Sequence, residues 1–298
     1  MDRRHFIKAV TGLGVSMIMP SETFAQIACP RGVLIDNATI AGLPQAPLLE
    51  VMPQLYKETP SVLLGHHMHT DPLPLIYAFG KDHIHAMKQS GKKHLVAEFP
   101  IELQSLFDEV ASGSRHPYEL VRGLVIPWLN PRQNKAVMMT IAQGLPLMKE
   151  AGIGFHCCDT SMSEVSVEDL RAMNEYLKGK APENKEASKR ILDARLDDRA
   201  RYSLLRAKTG NDPYVAIIGA MHLQSHPHSI RSLCGDNAKF TVNMYGNASV
   251  FQEAHEKYCH YDADYAVLID DNLALQTGKR ALPIMESTPS PSIPVLKP

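Results

Sequence analysis

The strongest constraint on the fold is a set of four short apolar segments separated by longer segments of helical periodicity. The apolar segments are residues 61–64, 94–97, 153–158 and 214–218. Between them the pattern predicts helices at residues 71–90, 101–112, 117–128, 133–150, 166–178 and 184–208. Short β-rich runs that alternate with helices are typical of α/β proteins with parallel strands. We therefore predict an α/β fold with a mixed, largely parallel central sheet flanked by helices.

The composition limits the class of protein. Of 298 residues, 44% are hydrophobic and 21% are charged, which is enough for a buried core and excludes an intrinsically disordered chain. The formal net charge of −1 lacks the basic excess of a sequence-independent nucleic-acid binder, so no nucleic-acid partner is expected. No segment approaches the roughly 18 consecutive apolar residues of a membrane-spanning helix.

The amino terminus predicts export. Arg3 and Arg4, followed by Phe6, Ile7 and Lys8 and then by a short apolar run, are similar to a twin-arginine signal peptide covering residues 1–25. This interpretation predicts the Tat translocase as a partner and a periplasmic or otherwise exported protein. Two forms of processing stay open, namely cleavage after residue 25 and lipid attachment at Cys29, which would give the only membrane contact. The alternative is a short amphipathic helix with a basic end.

The rest of the chain divides by composition. Residues 26–47 contain three prolines and are interpreted as a linker or a segment strapped onto the domain, and residues 48–282 as a single α/β domain. Residues 283–298 form a Pro/Ser-rich tail. Within the charged segment 178–208, an apolar residue recurs every fourth position, which predicts an amphipathic helix with a solvated opposite face. The residues of this apolar stripe are Leu192, Leu196, Ala200 and Leu204.

The cysteines permit two interpretations. The five are Cys29, Cys157, Cys158, Cys234 and Cys259. An oxidising compartment would allow disulfides, although the adjacent Cys157 and Cys158 cannot easily pair with each other. Buried free thiols are the alternative, and the sequence does not fix the connectivity.

Chemically active residues follow the ends of the predicted strands. In open α/β sheets, ligands bind outside the carboxyl ends of the strands. The histidines and acids at these ends are His66, His67, His69, Glu98, Asp159 and His222, and Gly65 and Gly219 are expected to let the chain turn sharply there. Imidazole and carboxylate groups hold or release protons near neutral pH. We predict that His69, Glu98 and His222 converge at one site.

Each of these residues also has a structural interpretation. The histidines of the first strand end could be solvated loop residues, Glu98 a helix cap and His222 a satisfied core histidine. The other histidines carry no spacing that indicates a shared site; they include His94, His116, His156, His255 and His260.

Three motifs resemble the erythromycin esterase-like/ChaN-like superfamily and the related TIKI/TraB proteins. They are Val62-Leu63-Leu64-Gly65 with His69, Leu95-Val96-Ala97-Glu98, and Ala216-Ile217-Ile218-Gly219 with His222, within a resemblance that spans about residues 58–235. The resemblance implies a mixed α/β fold with a cleft at the strand ends. It also implies hydrolysis of an ester or amide bond or, in the ChaN-like branch, haem binding by an exported lipoprotein.

The chain departs from this family at His66, where the family has a glutamate. The change removes a carboxylate and adds a candidate ligand, which favours a metal site formed by His66, His69, Glu98 and His222. Zn²⁺ and Mn²⁺ both accept such ligands. His66 is then expected to point into the cleft and His67 to point outward.

The leading hypothesis is an exported hydrolase of a small-molecule or peptide substrate. His69, Glu98 and His222 hold a divalent metal or activate a water directly, and the water attacks a carbonyl carbon. A serine esterase is disfavoured because no Gly-x-Ser-x-Gly motif occurs. The alternative from another class is a haem- or iron-binding uptake protein without enzymatic activity, with Tyr or His as axial ligands. A third is a family member with a purely structural role.

Overall fold

The computed structural model describes residues 32–35, 48–66, 71–124, 129–159, 197–224, 227–238, 240–258 and 263–269. Their strands are β1 (Gly32–Ile35), β2 (Ser61–His66), β3 (His94–Pro100), β4 (Gly154–Asp159), β5 (Tyr214–Gly219), β6 (Phe240–Tyr245) and β7 (Tyr265–Leu268). Their α-helices are α1 (Leu48–Glu58), α2 (Leu73–Ala78), α3 (Lys81–Gln89), α4 (Gln104–Ser112), α5 (Pro117–Gly123), α6 (Pro131–Ala151), α7 (Arg199–Thr209), α8 (Ile230–Cys234) and α9 (Ala248–Tyr258).

The strands form one sheet in the order β1-β7-β6-β2-β5-β3-β4, and every described pair is parallel. The prediction of an α/β fold is therefore confirmed. β2 and β5 lie side by side in the interior, and all twelve of their residues are buried. Continuous apolar runs suit this position because both faces of a parallel sheet are covered by helices.

Helices cover the sheet in two layers. Leu64 and Val215 point to the larger core, which also contains side chains from α1 to α6. Leu63 and Ala216 point to the other face and pack with Leu205 of α7 and with α8. Right-handed crossovers explain this division, because connections that run in opposite directions along a sheet place their helices on opposite faces.

The edge of the sheet at β4 is covered by a side chain. Gln104 Oε1 accepts a hydrogen bond from the Cys157 amide at 2.7 Å, and its Nε2 donates to the Phe155 carbonyl at 3.0 Å. The glutamine therefore satisfies backbone groups that an open edge would leave to another chain.

Several predicted elements differ from the structure. The helix predicted at 71–90 is two helices, and Gly80 is the extended N-cap of the second. The predicted strands did not include β1, β6 and β7, because these are short or carry polar residues. β1 lies within the segment 26–47 predicted as a linker or strapped-on segment, and its pairing with β7 attaches it to the sheet.

The helix predicted at 133–150 is confirmed as α6, whereas α5 ends at Gly123 and the prediction extended it to 128. α6 begins with a capping box formed by Asn130 and Gln133 and ends at Gly152 in the left-handed conformation. The helix predicted at 166–178 lies outside the described residues.

Several other predicted features lie outside the described residues. These are the signal peptide, the lipidation site Cys29, Cys259 and the tail 283–298. Among the described residues, no helix has the length and apolarity needed to cross a membrane. Cys157, Cys158 and Cys234 are free and buried, and burial raises the pKa of each thiol.

The burial of His83 predicts that the folded protein loses stability in acid. His83 Nδ1 lies 2.7 Å from the Ala78 carbonyl oxygen, its Nε2 contacts the Tyr56 hydroxyl, and burial lowers its pKa to about 4. In the unfolded chain His83 takes up a proton near pH 6.5, whereas in the folded protein it stays neutral until about pH 4. The contribution of neutral His83 to stability is therefore present above pH 6.5 and is lost as the pH falls towards 4. Between pH 7 and pH 5 the free energy of unfolding should fall by about 2 kcal/mol from His83 alone.

Urea denaturation of the native protein and of His83→Phe at both pH values measures this contribution. The variant should lose less stability on acidification, because all other titrating groups contribute to both proteins. Equal losses would contradict the assignment. His85→Ala is the matched control, because His85 is exposed on the same helix, and it should behave as the native protein does.

Candidate functional site

The site lies where β2, β5 and β3 end beside one another. His66 pairs with Gly219 in the sheet, and Ala97 pairs with Ile217, so these ends reach the same edge. A histidine side chain lies near each of the two carboxylate oxygens of Glu98. His66 Nε2 lies 3.9 Å from Glu98 Oε2, and His222 Nε2 lies 3.3 Å from Glu98 Oε1. Two of the three residues predicted to converge, Glu98 and His222, therefore lie together, and His66 joins them.

One of the two glycines acts differently from the prediction. Gly65 lies inside β2 and forms no turn, whereas Gly219 is the last residue of β5 and caps the 3₁₀ turn that follows it. A Cβ atom at Gly65 would lie 1.9 Å from Asn243 Oδ1, so this position is a close approach of neighbouring strands. β2 therefore extends to His66, which is buried in the sheet and is not a solvated loop residue.

A β-bulge directs Glu98 into the site. Ala97 pairs with Cys157 and Pro100 with Asp159, so two residues of β3 oppose one residue of β4 between these pairs. Bulges of this kind re-aim side chains and are frequent beside active sites. The reoriented carboxylate lies towards β5, where its Oε2 accepts a hydrogen bond from the Gly219 amide at 2.6 Å.

His222 lies between two carboxylates. It belongs to a 3₁₀ turn, Ala220–Leu223, directly after β5. Its Nδ1 is 2.8 Å from Asp198 Oδ1, and its Nε2 faces Glu98. Burial by itself lowers the pKa of His222, but Glu98 and the hydrogen bond to Asp198 outweigh burial and Arg201, so the net shift is upward. The geometry holds an imidazolium whose two N–H groups each face a carboxylate.

A buried arginine occupies the centre of the acidic groups. Arg201 Nη2 lies 2.8 Å from Asp159 Oδ1 and 3.5 Å from Glu98 Oε1, and its Nη1 donates to Asp198 Oδ1. These three carboxylates raise the pKa of Arg201 despite its burial. Arg201 Nη1 is also 3.2 Å from His222 Nδ1, because both nitrogens donate to the same Asp198 oxygen.

Asp198 connects the site to the surrounding backbone. The residue is fully buried, and its Oδ2 accepts a hydrogen bond from the Ile230 amide at 3.0 Å. Its own amide donates to the His228 carbonyl at 2.9 Å. Asp198 therefore fixes the start of α7 against the backbone of residues 228–230.

Sequence reasoning missed Asp198 and Arg201. The helix predicted at 184–208 begins at Arg199 in its described part, so the prediction is wrong at Asp197 and Asp198. The predicted apolar stripe is also displaced, since Ala200 is exposed and Leu204 is half-buried. Leu192 and Leu196 lie outside the described residues. The buried positions are Arg201, Leu205 and Thr209, whose spacing of four was the signal available in the sequence.

The described residues around Glu98 do not fit a divalent metal. They contain no group of three or more His, Cys, Asp or Glu arranged to hold one. A cation bound between Glu98 and His222 would displace the His222 proton and would lie beside the Arg201 guanidinium, which already neutralises these carboxylates. His69 and His67 lie outside the described residues, so a metal held with the help of His69 stays a prediction.

No protein-family model matches the chain, and no curated protein matches it. Among solved structures, the type III effector HopBA1 has a TM-score of 0.44 and 16% identity, over 76% of this chain and 88% of that one. RRSP, a MARTX toxin effector domain from Vibrio vulnificus, has a TM-score of 0.41 and 15% identity, over 78% of this chain and 41% of that one. A structure described as "Bacterial protein toxins" has a TM-score of 0.39 and 13% identity, over 68% of this chain and 37% of that one. Similarities of this size do not assign a function to this chain.

Proposed function

We propose that the protein is a hydrolase of ester or amide bonds that works by general acid–base catalysis at His66, Glu98 and His222. The observation that carries the proposal is the pair of imidazoles on the two oxygens of one buried carboxylate. The resemblance of the strand-end motifs to the erythromycin esterase-like/ChaN-like superfamily supports the same reaction class.

The two histidines have different surroundings and therefore different roles. Asp198 and Glu98 hold His222 in the protonated form, which suits a general acid. His66 lies 3.9 Å from Glu98 Oε2, where the carboxylate favours the positive charge that His66 gains on taking up a proton, and His66 is assigned as the base. Glu98 is a poor base because its oxygens already face the Gly219 amide, Arg201 and His222.

These groups can supply and accept every proton that hydrolysis requires. His66 takes a proton from water, and the resulting hydroxide attacks the carbonyl carbon to form a tetrahedral intermediate. Collapse of the intermediate breaks the carbon–oxygen or carbon–nitrogen bond, and His222 gives its proton to the leaving atom. Proton exchange with solvent then restores both histidines. The positive charges of His222 and Arg201 favour the negative charge that develops on the carbonyl oxygen.

Hydrolysis of p-nitrophenyl acetate and of peptide p-nitroanilides by the purified chain tests the proposal. Native protein should turn over one of these classes, and His66→Gln should lose most of that activity while circular dichroism remains native. His85→Ala is the control and should keep full activity, because His85 is exposed on α3 and is not one of the proposed catalytic residues. Absence of turnover of both classes, or full activity in His66→Gln, would overturn the proposal.

Chelation separates the metal-assisted form of the hypothesis from direct acid–base catalysis. Activity that survives EDTA supports the direct mechanism. Activity that is lost and then restored by Zn²⁺ or Mn²⁺ supports ligation that includes His69. If no turnover occurs, a stoichiometric Soret shift on addition of haem would support the non-enzymatic haem-binding alternative.

We also propose that the chain is exported by the Tat translocase. Changing Arg3 and Arg4 to lysine preserves the charge but removes the paired guanidinium groups of the signal. The variant should accumulate as precursor in the cytoplasm, as measured by cell fractionation and immunoblotting. An unchanged periplasmic or membrane-bound product would contradict the proposal.

A further inference from the structure

Two histidines from neighbouring strands meet far from Glu98. His94 begins β3 and His156 lies in β4, and His94 Nδ1 is 3.0 Å from His156 Nε2. His94 and Glu98 are four positions apart along β3, which is roughly 13 Å. This histidine pair is therefore a feature separate from the candidate hydrolytic site.

A glycine leaves space beside both nitrogens. Gly154 is the register partner of His94 across the two strands. A Cβ atom at Gly154 would lie 2.9 Å from His94 Nδ1 and 3.0 Å from His156 Nε2. The absence of this side chain allows the rings to face each other over the backbone.

The surroundings leave both facing nitrogens able to act as ligands. Asp212 Oδ2 lies 3.5 Å from His94 Nε2 and favours the tautomer of His94 that carries its proton on Nε2. In this tautomer His94 Nδ1 has a lone pair that can bind a metal. Such carboxylate–histidine contacts orient metal-bound imidazoles. His156 Nε2 faces His94 Nδ1 at 3.0 Å across the two strands.

We propose that His94 and His156 form a binding site for a divalent transition metal of Cu²⁺ type. Two nitrogens at about 2.0 Å from a metal are about 2.8–2.9 Å apart in cis positions of a tetragonal site and about 3.3 Å apart in a tetrahedral one. The observed 3.0 Å is closer to the tetragonal arrangement, which Cu²⁺ and Ni²⁺ prefer, and Cu²⁺ binds such ligands more tightly. Water fills the remaining positions.

Binding requires no net release of protons. In the metal-free pair, His156 Nε2–H donates to His94 Nδ1. When the metal binds, the His156 proton moves to Nδ1 of the same ring, and both facing nitrogens donate lone pairs to the ion. His94 is 17% exposed, so the ion reaches the pair from solvent.

Titration of the full chain with Cu²⁺, followed by electron paramagnetic resonance, tests the site. Native protein should bind one tight equivalent with hyperfine splitting from two imidazole nitrogens. His94→Gln and His156→Gln should each weaken this equivalent by more than about 10-fold, and Asp212→Asn by about 10-fold. His85→Ala should leave the tight equivalent unchanged.

A second measurement uses the native protein alone. Bound Cu²⁺ is paramagnetic, so it should broaden the amide resonances of Gly154 and its strand neighbours at one equivalent and leave that of Gly219 sharp. Broadening confined to other histidines, or identical copper binding in the native protein and both glutamine variants, would overturn the proposal.

Discussion

Replacing Arg201 by methionine should lower the free energy of unfolding by about 3–5 kcal/mol. The substitution keeps much of the apolar volume but removes the guanidinium that faces Glu98, Asp159 and Asp198. All three carboxylates lie in the interior, where an uncompensated charge is costly because water is excluded. Urea denaturation at pH 7 measures the loss.

The pH dependence distinguishes lost charge pairing from lost packing. In Arg201→Met the buried carboxyl groups can become neutral by taking up protons, so the destabilisation should shrink between pH 7 and pH 5. A constant difference across this range would indicate a packing defect and contradict the electrostatic explanation.

Arg199→Met provides the matched control on the same helix. Arg199 is 66% exposed and pairs with Asp197 at the surface, where solvent screens the interaction. Its replacement should change stability little. A loss as large as that of Arg201→Met would mean that α7 is sensitive to any substitution near its start.

Replacing His222 by asparagine should lower kcat/KM for hydrolysis by about 10²–10⁴-fold. The asparagine amide can donate to Asp198 in place of Nδ1, but it has no proton to give to a leaving group. The loss should appear in kcat and not in KM alone, since protonation of the leaving atom occurs in the transition state. Steady-state kinetics on the ester or amide that the native protein hydrolyses measures the effect.

The pH–rate profile gives a second readout of His222. The acid form is required, and Glu98 and Asp198 raise the pKa of this histidine, so native activity should fall as the pH rises through that raised pKa. In His222→Asn this alkaline limb should disappear. Equal profiles in the two proteins would assign the proton donor to another group, even if the rate is reduced.

The class of fold and the edge of the sheet that carries the site are readable from the sequence. Apolar runs such as residues 61–64 and 214–218 have the length and composition of buried parallel strands. The carboxyl ends of parallel strands share one edge, so Glu98 and His222, which follow two such runs, were predicted to meet. This inference needs only local pattern and one rule of topology.

The strand order and the exact ends of the strands depend on tertiary contacts. The placement of β2 between β6 and β5 is set by pairings between residues more than 150 positions apart. The bulge after Ala97 arises from the pairing of β3 with β4 and determines where the Glu98 side chain lies. No local sequence pattern specifies either feature.

The buried charges were decided by tertiary structure alone. In the sequence, Arg201 stands among alternating charges, which is the pattern of a solvated helix face. It is buried because α7 packs on the sheet with the turn of Arg201 above Glu98 and Asp159, whose carboxylates compensate its charge. Likewise, His94 and His156 have no common spacing, and only the register of two strands 62 residues apart brings their nitrogens together. Burial of a charged residue depends on the partners that meet it in space, and those partners are distant in the sequence.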